Sequence, residues 1–110
     1  MDNNGFIVSK MISLIDKIEN YLGEMDYESF TKNEMIVEVC AFNLSQLGEV
    51  SHKLEDEFQK DNPSIPWKAI YGMRNKIIHD YDGINIKVVW ETVRQDLPTL
   101  REQLKNIVSK

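Results

Sequence analysis

The sequence is poor in cysteine, glycine and proline, and it lacks a long hydrophobic run. Its 110 residues include one cysteine, five glycines and three prolines. The single cysteine, Cys40, excludes an intrachain disulfide and any metal or redox site built on a cysteine pair. No apolar stretch approaches the roughly 20 residues that span a bilayer, and no basic region precedes an apolar run at the N-terminus. We therefore expect a soluble, cytoplasmic protein that does not enter a membrane.

The chain also lacks an excess of basic residues. Its lysines and arginines number 13 and its acidic residues 18, which gives a formal net charge of −5 at pH 7. Because a broad nucleic-acid-binding surface is normally basic, any such interaction must depend on a local patch. Hydrophobic residues make up 42% and charged residues 28%, which is a globular composition. The length predicts one domain, residues 1–110, with a single core.

Apolar residues recur at steps of three and four along the first half of the chain, which predicts amphipathic helices. The first stripe covers residues 7–22, and Gly23 suits the C-terminal cap of that helix. Residues 26–31 form either one helical turn or a loop. Asn33 is a candidate N-cap for a second helix, whose apolar stripe continues to Leu54.

Two more helices are predicted in the second half of the chain. Pro66 suits the first turn of a third helix, which is expected to run to about Asp80. Asn85 can cap a fourth helix, in which Pro98 predicts either a kink or a break into two collinear pieces. Strand-like alternation is absent from the sequence. The pattern therefore predicts an all-α fold, an antiparallel bundle of four to five helices.

The most informative stretch of the sequence is a basic segment at residues 67–79, which contains three basic residues and no acidic one. The basic residues are Lys68, Arg74 and Lys76. On a continuous helix, one arc of roughly 60° would carry Lys68, Gly72, Asn75 and His79. Arg74 would lie in the middle of the opposite, apolar face, about 140° from His79.

Arg74 is the residue that most needs a partner, because an unpaired buried charge is costly. Its guanidinium must meet an anion, reach water or face another subunit, and Glu49 is a candidate partner, either as a salt bridge or as a supporting group of a site. Arg74 and His79 cannot meet on one face of an undistorted helix. Either the helix unwinds near His79, or two copies of the chain bring these side chains together, which predicts a symmetric homodimer. A lone histidine near a helix end can also be a cap or a surface group.

The spacing of Arg74, His79 and Tyr81 reproduces the R-x-x-x-x-H-x-Y signature of the HEPN ribonuclease superfamily. The sequence most closely resembles the HepT-like toxins of toxin–antitoxin pairs. The resemblance covers nearly the whole chain, and all three signature positions match. It also includes the stretches Leu47-Gly48-Glu49, Ile65-Pro66-Trp67, Gly72-Met73-Arg74-Asn75, His79-Asp80-Tyr81, Trp90 and Asp96-Leu97-Pro98.

This resemblance implies a metal-independent endoribonuclease that acts on RNA as a homodimer and uses no cofactor. His79 would transfer protons, since imidazole titrates near neutrality, and Arg74 would stabilise the phosphate and the transition state. The products would carry a 2′,3′-cyclic phosphate. Asn75 either orients the imidazole or the phosphate, or is a solvent-exposed amide, and Lys68 and Lys76 are candidate RNA contacts.

Tyr81 has two interpretations. Its ring packs against Ile77 or Trp90, or, as the resemblance implies, a nucleotidyltransferase antitoxin modifies it with AMP. The added bulk and negative charge would then oppose phosphate binding. A second candidate function is a non-catalytic HEPN module that helps a nucleotidyltransferase bind nucleotide or substrate, and a third is a simple dimerisation bundle.

Four further residues have structural interpretations. Gly48 and Gly72 lie within predicted helices, where glycine costs about 1 kcal/mol relative to alanine. Both are therefore expected where two backbones approach closely, at a helix crossing or a subunit interface. Cys40 falls within an apolar stripe and is expected in the core, whereas His52 is expected to be a solvated surface residue. The spacing of histidines and carboxylates predicts no metal site.

Overall fold

The computed structural model describes residues 3–79 and 83–108, and of His79 it describes the backbone alone. The helices are α1 (Asn3–Leu22), α2 (Tyr27–Lys32), α3 (Glu34–Ser51), α4 (Asp56–Asp61), α5 (Trp67–Tyr71), α6 (Met73–Ile77), α7 (Ile86–Glu91) and α8 (Leu97–Val108). A π-helical turn, Thr92–Asp96, joins α7 to α8, and two short strands, β1 (Ile78–His79) and β2 (Gly83–Ile84), pair antiparallel. The fold is all-α, as predicted, apart from these two strands.

Gly23 and Asn33 lie at the helix ends where the sequence places them, whereas α3 ends at Ser51 instead of continuing to Leu54. Gly23 follows α1 with a φ of +56°, a left-handed conformation that glycine adopts without steric cost. The Asp26 carboxylate caps α2 by accepting the backbone N–H of Ser29 at 2.8 Å, and this hydrogen bond lowers the pKa of Asp26. The Asn33 side chain caps α3 by accepting the N–H of Ile36 at 3.1 Å. The segment left open as a turn or a loop is therefore helical.

The core forms mainly between α1 and α3, with α8 packed on α1. The buried side chains of α1 are Ile7, Val8, Met11, Ile15, Ile18 and Leu22. Arg101 Nε on α8 lies 2.6 Å from Asp16 Oδ1 on α1. Earlier in the chain, Arg94 Nη2 donates to the carbonyl of Gly23 at 2.9 Å, just beyond the C-terminal end of α1. These two contacts show that α8 runs antiparallel to α1, as the bundle prediction requires.

The third predicted helix is interrupted and shorter than expected. α5 gives way to α6 at Gly72, which has φ −82° and ψ −1°, and α6 ends at Ile77 instead of continuing to Asp80. Ile78 is extended, with φ −109° and ψ 121°. The Ile77 carbonyl accepts the N–H of Asn85 at 2.7 Å, beside the two paired strands, so the backbone leaves the helix at this point. The prediction of one continuous helix was wrong for this reason.

The fourth predicted helix continues through Pro98. The Asn85 side chain caps α7 by accepting the N–H of Val88 at 3.2 Å, as predicted. Directly before Pro98 the helix widens into the π-helical turn, in which the N–H of Leu97 bonds the Thr92 carbonyl. Proline has no N–H, so an ordinary α-helical ladder would lose a hydrogen bond at this point. The backbone stays helical through the wider turn, so of the two arrangements that the sequence left open at Pro98, the break into two pieces does not occur.

Candidate active site

The basic segment begins at a buried tryptophan. The indole N–H of Trp67 donates to the carbonyls of Gln59 at 3.1 Å and Asn62 at 3.0 Å. Both carbonyls lie at the end of α4, so the indole ties the start of α5 to the segment before it. The Phe58 ring packs against the indole, with the ring centroids 6.3 Å apart. Because a buried N–H needs an acceptor, these contacts fix where the basic segment starts.

α3 and α5 approach each other closely at Gly48, as the sequence predicted for this glycine. A Cβ on Gly48 would lie 2.8 Å from the carbonyl oxygen of Ile70 and 3.7 Å from that of Tyr71. A side chain therefore cannot fit there without moving the backbone of α5. Gly72 is different, because a Cβ there would lie 3.5 Å from the Lys68 carbonyl, an ordinary van der Waals contact. No helix crossing is found at Gly72 within one copy of the chain, where Gly72 marks the end of α5, and a close approach at a subunit interface stays a prediction.

Three polar residues of α6 are exposed, and the two apolar residues that flank them are buried. The exposed residues are Arg74, Asn75 and Lys76, and the buried ones are Met73 and Ile77. Lys68 on α5 is exposed as well. The placement of Arg74 within an apolar face assumed an unbroken helix, and it was wrong because the interruption at Gly72 ends the helical phase counted from α5. Arg74 therefore reaches water directly.

Arg74 lines a groove between α3 and the two strands. The groove has a volume of about 600 Å³ and is lined by Glu38, Ala41, Phe42, Ser45, Gln46, Glu49, Lys53, Arg74, Ile78 and Ile84. We refer to it as the Arg74 groove. Among the described residues Arg74 forms no ion pair, so the salt bridge considered with Glu49 is not made although both residues line the groove. Within residues 3–79 and 83–108, its guanidinium is therefore exposed in the groove without a carboxylate partner.

His79 follows α6 in extended backbone. It pairs with Gly83 across the two strands, and Ile78 pairs with Ile84. The helix therefore unwinds before His79, which is one of the two arrangements that the sequence left open. The side chain of His79 and residues 80–82, including Tyr81, lie outside the described part of the structure. The convergence of Arg74 with the imidazole stays a prediction.

A group of exposed apolar side chains borders the Arg74 groove. Met35 is 69% exposed, Phe42 61% and Tyr21 44%. They line a second groove of about 350 Å³ between α1 and α3, which shares Phe42 and Glu38 with the Arg74 groove. We call Tyr21, Met35 and Phe42 the apolar surface. The sequence analysis did not predict this surface. Met35 and Phe42 lie outside the apolar stripe of α3, and two large apolar residues outside that stripe could have indicated it.

His52 and Tyr71 form a second feature that sequence reasoning missed. Their rings stack, with centroids 4.2 Å apart and planes inclined by 25°. His52 is exposed, as predicted, and Tyr71 is half-buried. Burial raises the pKa of Tyr71, and the negative charge of Asp56 raises it further. Residues 52 and 71 lie on separate helical segments, so only the packing of α3 against α5 brings these rings together.

The structure offers little support for other kinds of chemistry. Within residues 3–79 and 83–108, no group of three histidine, cysteine or acidic side chains is arranged to hold a metal ion. Cys40 is buried, as predicted, and burial raises the pKa of its thiol to about 11. In the same ranges no helix is long and apolar enough to cross a bilayer. The Arg74 groove is therefore the strongest candidate site.

The fold and the site together are an all-α bundle with an exposed arginine on α6 and a histidine just past the end of that helix. The family described as Ribonuclease HepT-like matches this chain over residues 11–107. The chain belongs to the HepT-like family.

Two curated proteins illustrate the relationship. Putative RNase TTE0752 of Caldanaerobacter subterraneus subsp. tengcongensis is 34% identical over 97 residues, which cover 88% of this chain and 83% of that protein. Probable ribonuclease HepT of Thermococcus cleftensis is 31% identical over 93 residues, which cover 84% of each chain. No solved structure matches this chain.

Proposed function

We propose that this protein is a metal-independent endoribonuclease and the toxin of a toxin–antitoxin pair. The observation that carries the proposal is the exposed guanidinium of Arg74, which lines an open groove and pairs with no carboxylate among the described residues. Membership of the HepT-like family, and the ribonuclease names of two relatives, support it. A phosphodiester is the anion that a planar guanidinium binds best, through two parallel N–H groups.

In this proposal Arg74 binds the scissile phosphate and stabilises the charge that develops during cleavage. Glu49, on the α3 side of the groove, orients the guanidinium by electrostatic attraction. Asn75 is exposed beside Arg74 and can donate an amide N–H to a phosphate oxygen. The exposed Lys68 and Lys76 add positive potential along the path of the RNA strand.

His79 is assigned to proton transfer. The 2′-hydroxyl of the RNA loses its proton to a base, its oxygen attacks the adjacent phosphorus, and the bond from phosphorus to the 5′-oxygen breaks. The leaving 5′-oxygen takes up a proton, which gives a 2′,3′-cyclic phosphate and a 5′-hydroxyl. An imidazole can accept the first proton or donate the second near neutral pH. Because the RNA supplies the nucleophile and Arg74 supplies positive charge, this route needs no metal ion.

The active form is proposed to be a homodimer. Tyr21, Met35 and Phe42 expose apolar area next to the Arg74 groove, and Phe42 lines that groove itself. Exposed apolar patches commonly mark protein interfaces. A two-fold pairing through this apolar surface brings two Arg74 grooves side by side, so that one active site forms from both copies.

Tyr81 is proposed as the regulatory residue. It lies two positions beyond His79. In this proposal a nucleotidyltransferase antitoxin attaches AMP to the Tyr81 hydroxyl. The attached nucleotide adds bulk and negative charge close to Arg74 in sequence, and both oppose the binding of an RNA phosphate. Removing the modification would restore the nuclease.

The decisive test is RNA cleavage in EDTA by the wild type and by three variants. We expect cleavage by the wild type and by Lys10→Ala, an exposed charge change on α1, and none by Arg74→Ala or His79→Ala. Mass spectrometry should find 2′,3′-cyclic phosphate ends. Equal cleavage by all four samples would indicate a contaminant, and loss of cleavage in EDTA would contradict metal independence. If wild-type protein with unmodified Tyr81 leaves RNA intact, the non-catalytic binding module becomes the better interpretation.

A further inference from the structure

The stacked rings of His52 and Tyr71 belong to residues that neighbour the Arg74 groove in the sequence, although neither residue lines it. Lys53, the residue after His52, lines that groove together with Arg74. Tyr71 lies at the end of α5, directly before the segment that carries Arg74. α3 and α5 approach each other closely at Gly48, four residues before His52. The stack therefore joins the end of α3, the helix that forms one wall of the groove, to α5, which precedes Arg74 in the chain.

The imidazole of His52 is not needed to end α3. The backbone N–H of His52 already bonds the carbonyl of Gly48 at 3.3 Å, and this bond is independent of the side chain. Tyr71 covers one face of the imidazole at a centroid distance of 4.2 Å. Because His52 is exposed, the other face of its ring is open to solvent. A flat, open face with a fixed orientation is what stacks on a nucleobase in single-stranded RNA.

We propose that His52, supported by Tyr71, is a stacking platform for one nucleobase of a single-stranded RNA whose neighbouring phosphate lies in the Arg74 groove. This inference rests on the proposed ribonuclease function and names the form of its substrate. The strand runs on the Lys53 side of the stack, where the ammonium group of Lys53 in the groove attracts the phosphates. Stacking on a bare ring face tolerates any base, so the platform favours an unpaired strand over a particular sequence.

The test measures binding separately from cleavage. The probe is a short fluorescein-labelled 2′-O-methyl oligoadenylate, which cannot be cleaved because its 2′-oxygens are blocked. Its Kd is measured by fluorescence anisotropy for the wild type and for His52→Ala, His52→Gln and His52→Phe. Lys53→Ala is the matched control, since it removes a charge beside the stack and leaves both rings. Thermal unfolding of each variant verifies that it is folded.

We expect His52→Ala and His52→Gln to raise the Kd about tenfold and His52→Phe to stay within about twofold of the wild type. Lys53→Ala should weaken binding in a salt-dependent way, whereas the effect of His52→Ala should persist in salt. Removing one base from the probe should raise its Kd for the wild type. It should leave the Kd for His52→Ala unchanged, because this variant already lacks the ring on which the base stacks.

Two outcomes separate this inference from the proposed function. Kd values that are equal for the wild type and all His52 variants, or a wild type that does not bind the probe, would overturn the platform even if the wild type cleaves ordinary RNA. A wild type that binds the probe as described but cleaves no RNA would leave the platform in place and contradict the proposed nuclease. Saturating RNA should give the same kcat for the wild type and His52→Ala, since the platform acts on binding.

Discussion

The carbonyl oxygen of Ile70 lies 2.8 Å from the position that a Cβ would occupy on Gly48. This relationship joins the C-terminal part of α3 to the last turn of α5. α6 follows directly after Gly72, so the crossing helps to set where Arg74 lies relative to the α3 wall of its groove. The absence of a side chain at Gly48 therefore permits the helix crossing that precedes the candidate site in the chain.

Gly48→Ala should destabilise the fold. The added methyl group must push the backbone of α5 away, at a cost of about 1–3 kcal/mol, which outweighs the helix propensity gained by alanine. Urea unfolding followed by circular dichroism measures the change. Gly72→Ala is the control, since its methyl group would lie 3.5 Å from the Lys68 carbonyl, and it should change stability by less than about 0.5 kcal/mol. If the Gly48→Ala protein is as stable as the wild type, the close contact between α3 and the Ile70 carbonyl is contradicted.

Arg74→Ala should lower nuclease activity without lowering stability. The guanidinium is exposed and forms no ion pair among the described residues, so the folded state loses little when it is removed. The loss of one preorganised donor at a phosphate should lower kcat/KM about 100-fold or more. Cleavage assays and thermal unfolding measure the two effects. A clear fall in the unfolding midpoint would instead assign Arg74 a structural role.

Phe42→Glu should convert the proposed dimer to a monomer that remains folded. Phe42 is 61% exposed within one copy, so a carboxylate there costs the monomer little, whereas two carboxylates at a two-fold interface repel each other. Size-exclusion chromatography with light scattering reports the mass. Phe6→Glu alters a side chain that is 64% exposed near the start of α1, and it should leave the dimer intact. A wild type that is monomeric at assay concentrations would contradict the dimer itself.

Cys40 should resist thiol reagents while the protein is folded. Its side chain is buried and its pKa is raised to about 11, so near neutral pH almost none of it is the reactive thiolate. Labelling at about pH 8 should be at least about 100-fold slower in the folded protein than in urea. Because the folded pKa is raised from 9.0, the stability contributed by the neutral thiol is full below pH 9 and is lost as the pH rises towards 11. Rapid labelling without denaturant would show that α3 opens locally.

Local signals predicted three of the helix boundaries. Gly23, Asn33 and Asn85 end or begin helices where the sequence places them, because each interaction joins residues only a few positions apart. The close approach at Gly48 was also predictable, since glycine inside a helix has few other uses. Membership of the HepT-like family agrees with the spacing of Arg74, His79 and Tyr81 in the sequence.

Long-range contacts account for the errors. The continuous third helix was a reasonable prediction from composition, but the backbone leaves the helix at Ile77, whose carbonyl bonds the Asn85 N–H. Arg74 was placed on an apolar face for the same reason, because helical phase cannot be counted across an interruption that the sequence does not reveal. The stack of His52 on Tyr71 joins two segments of the chain, and no local pattern reports such a pair.

The sequence by itself determined the helical class, the caps, the buried stripe that holds Cys40 and the family-specific spacing of Arg74, His79 and Tyr81. These features depend on the periodicity of apolar residues and on hydrogen bonds within one helical turn. Both are set by residues that are close together in the sequence. Only the tertiary structure decided that Arg74 is exposed in a groove with Glu49 and Lys53, and that Phe42 borders that groove. Such features depend on how α3 packs against α5, α6 and the strands, and packing is a property of the whole chain.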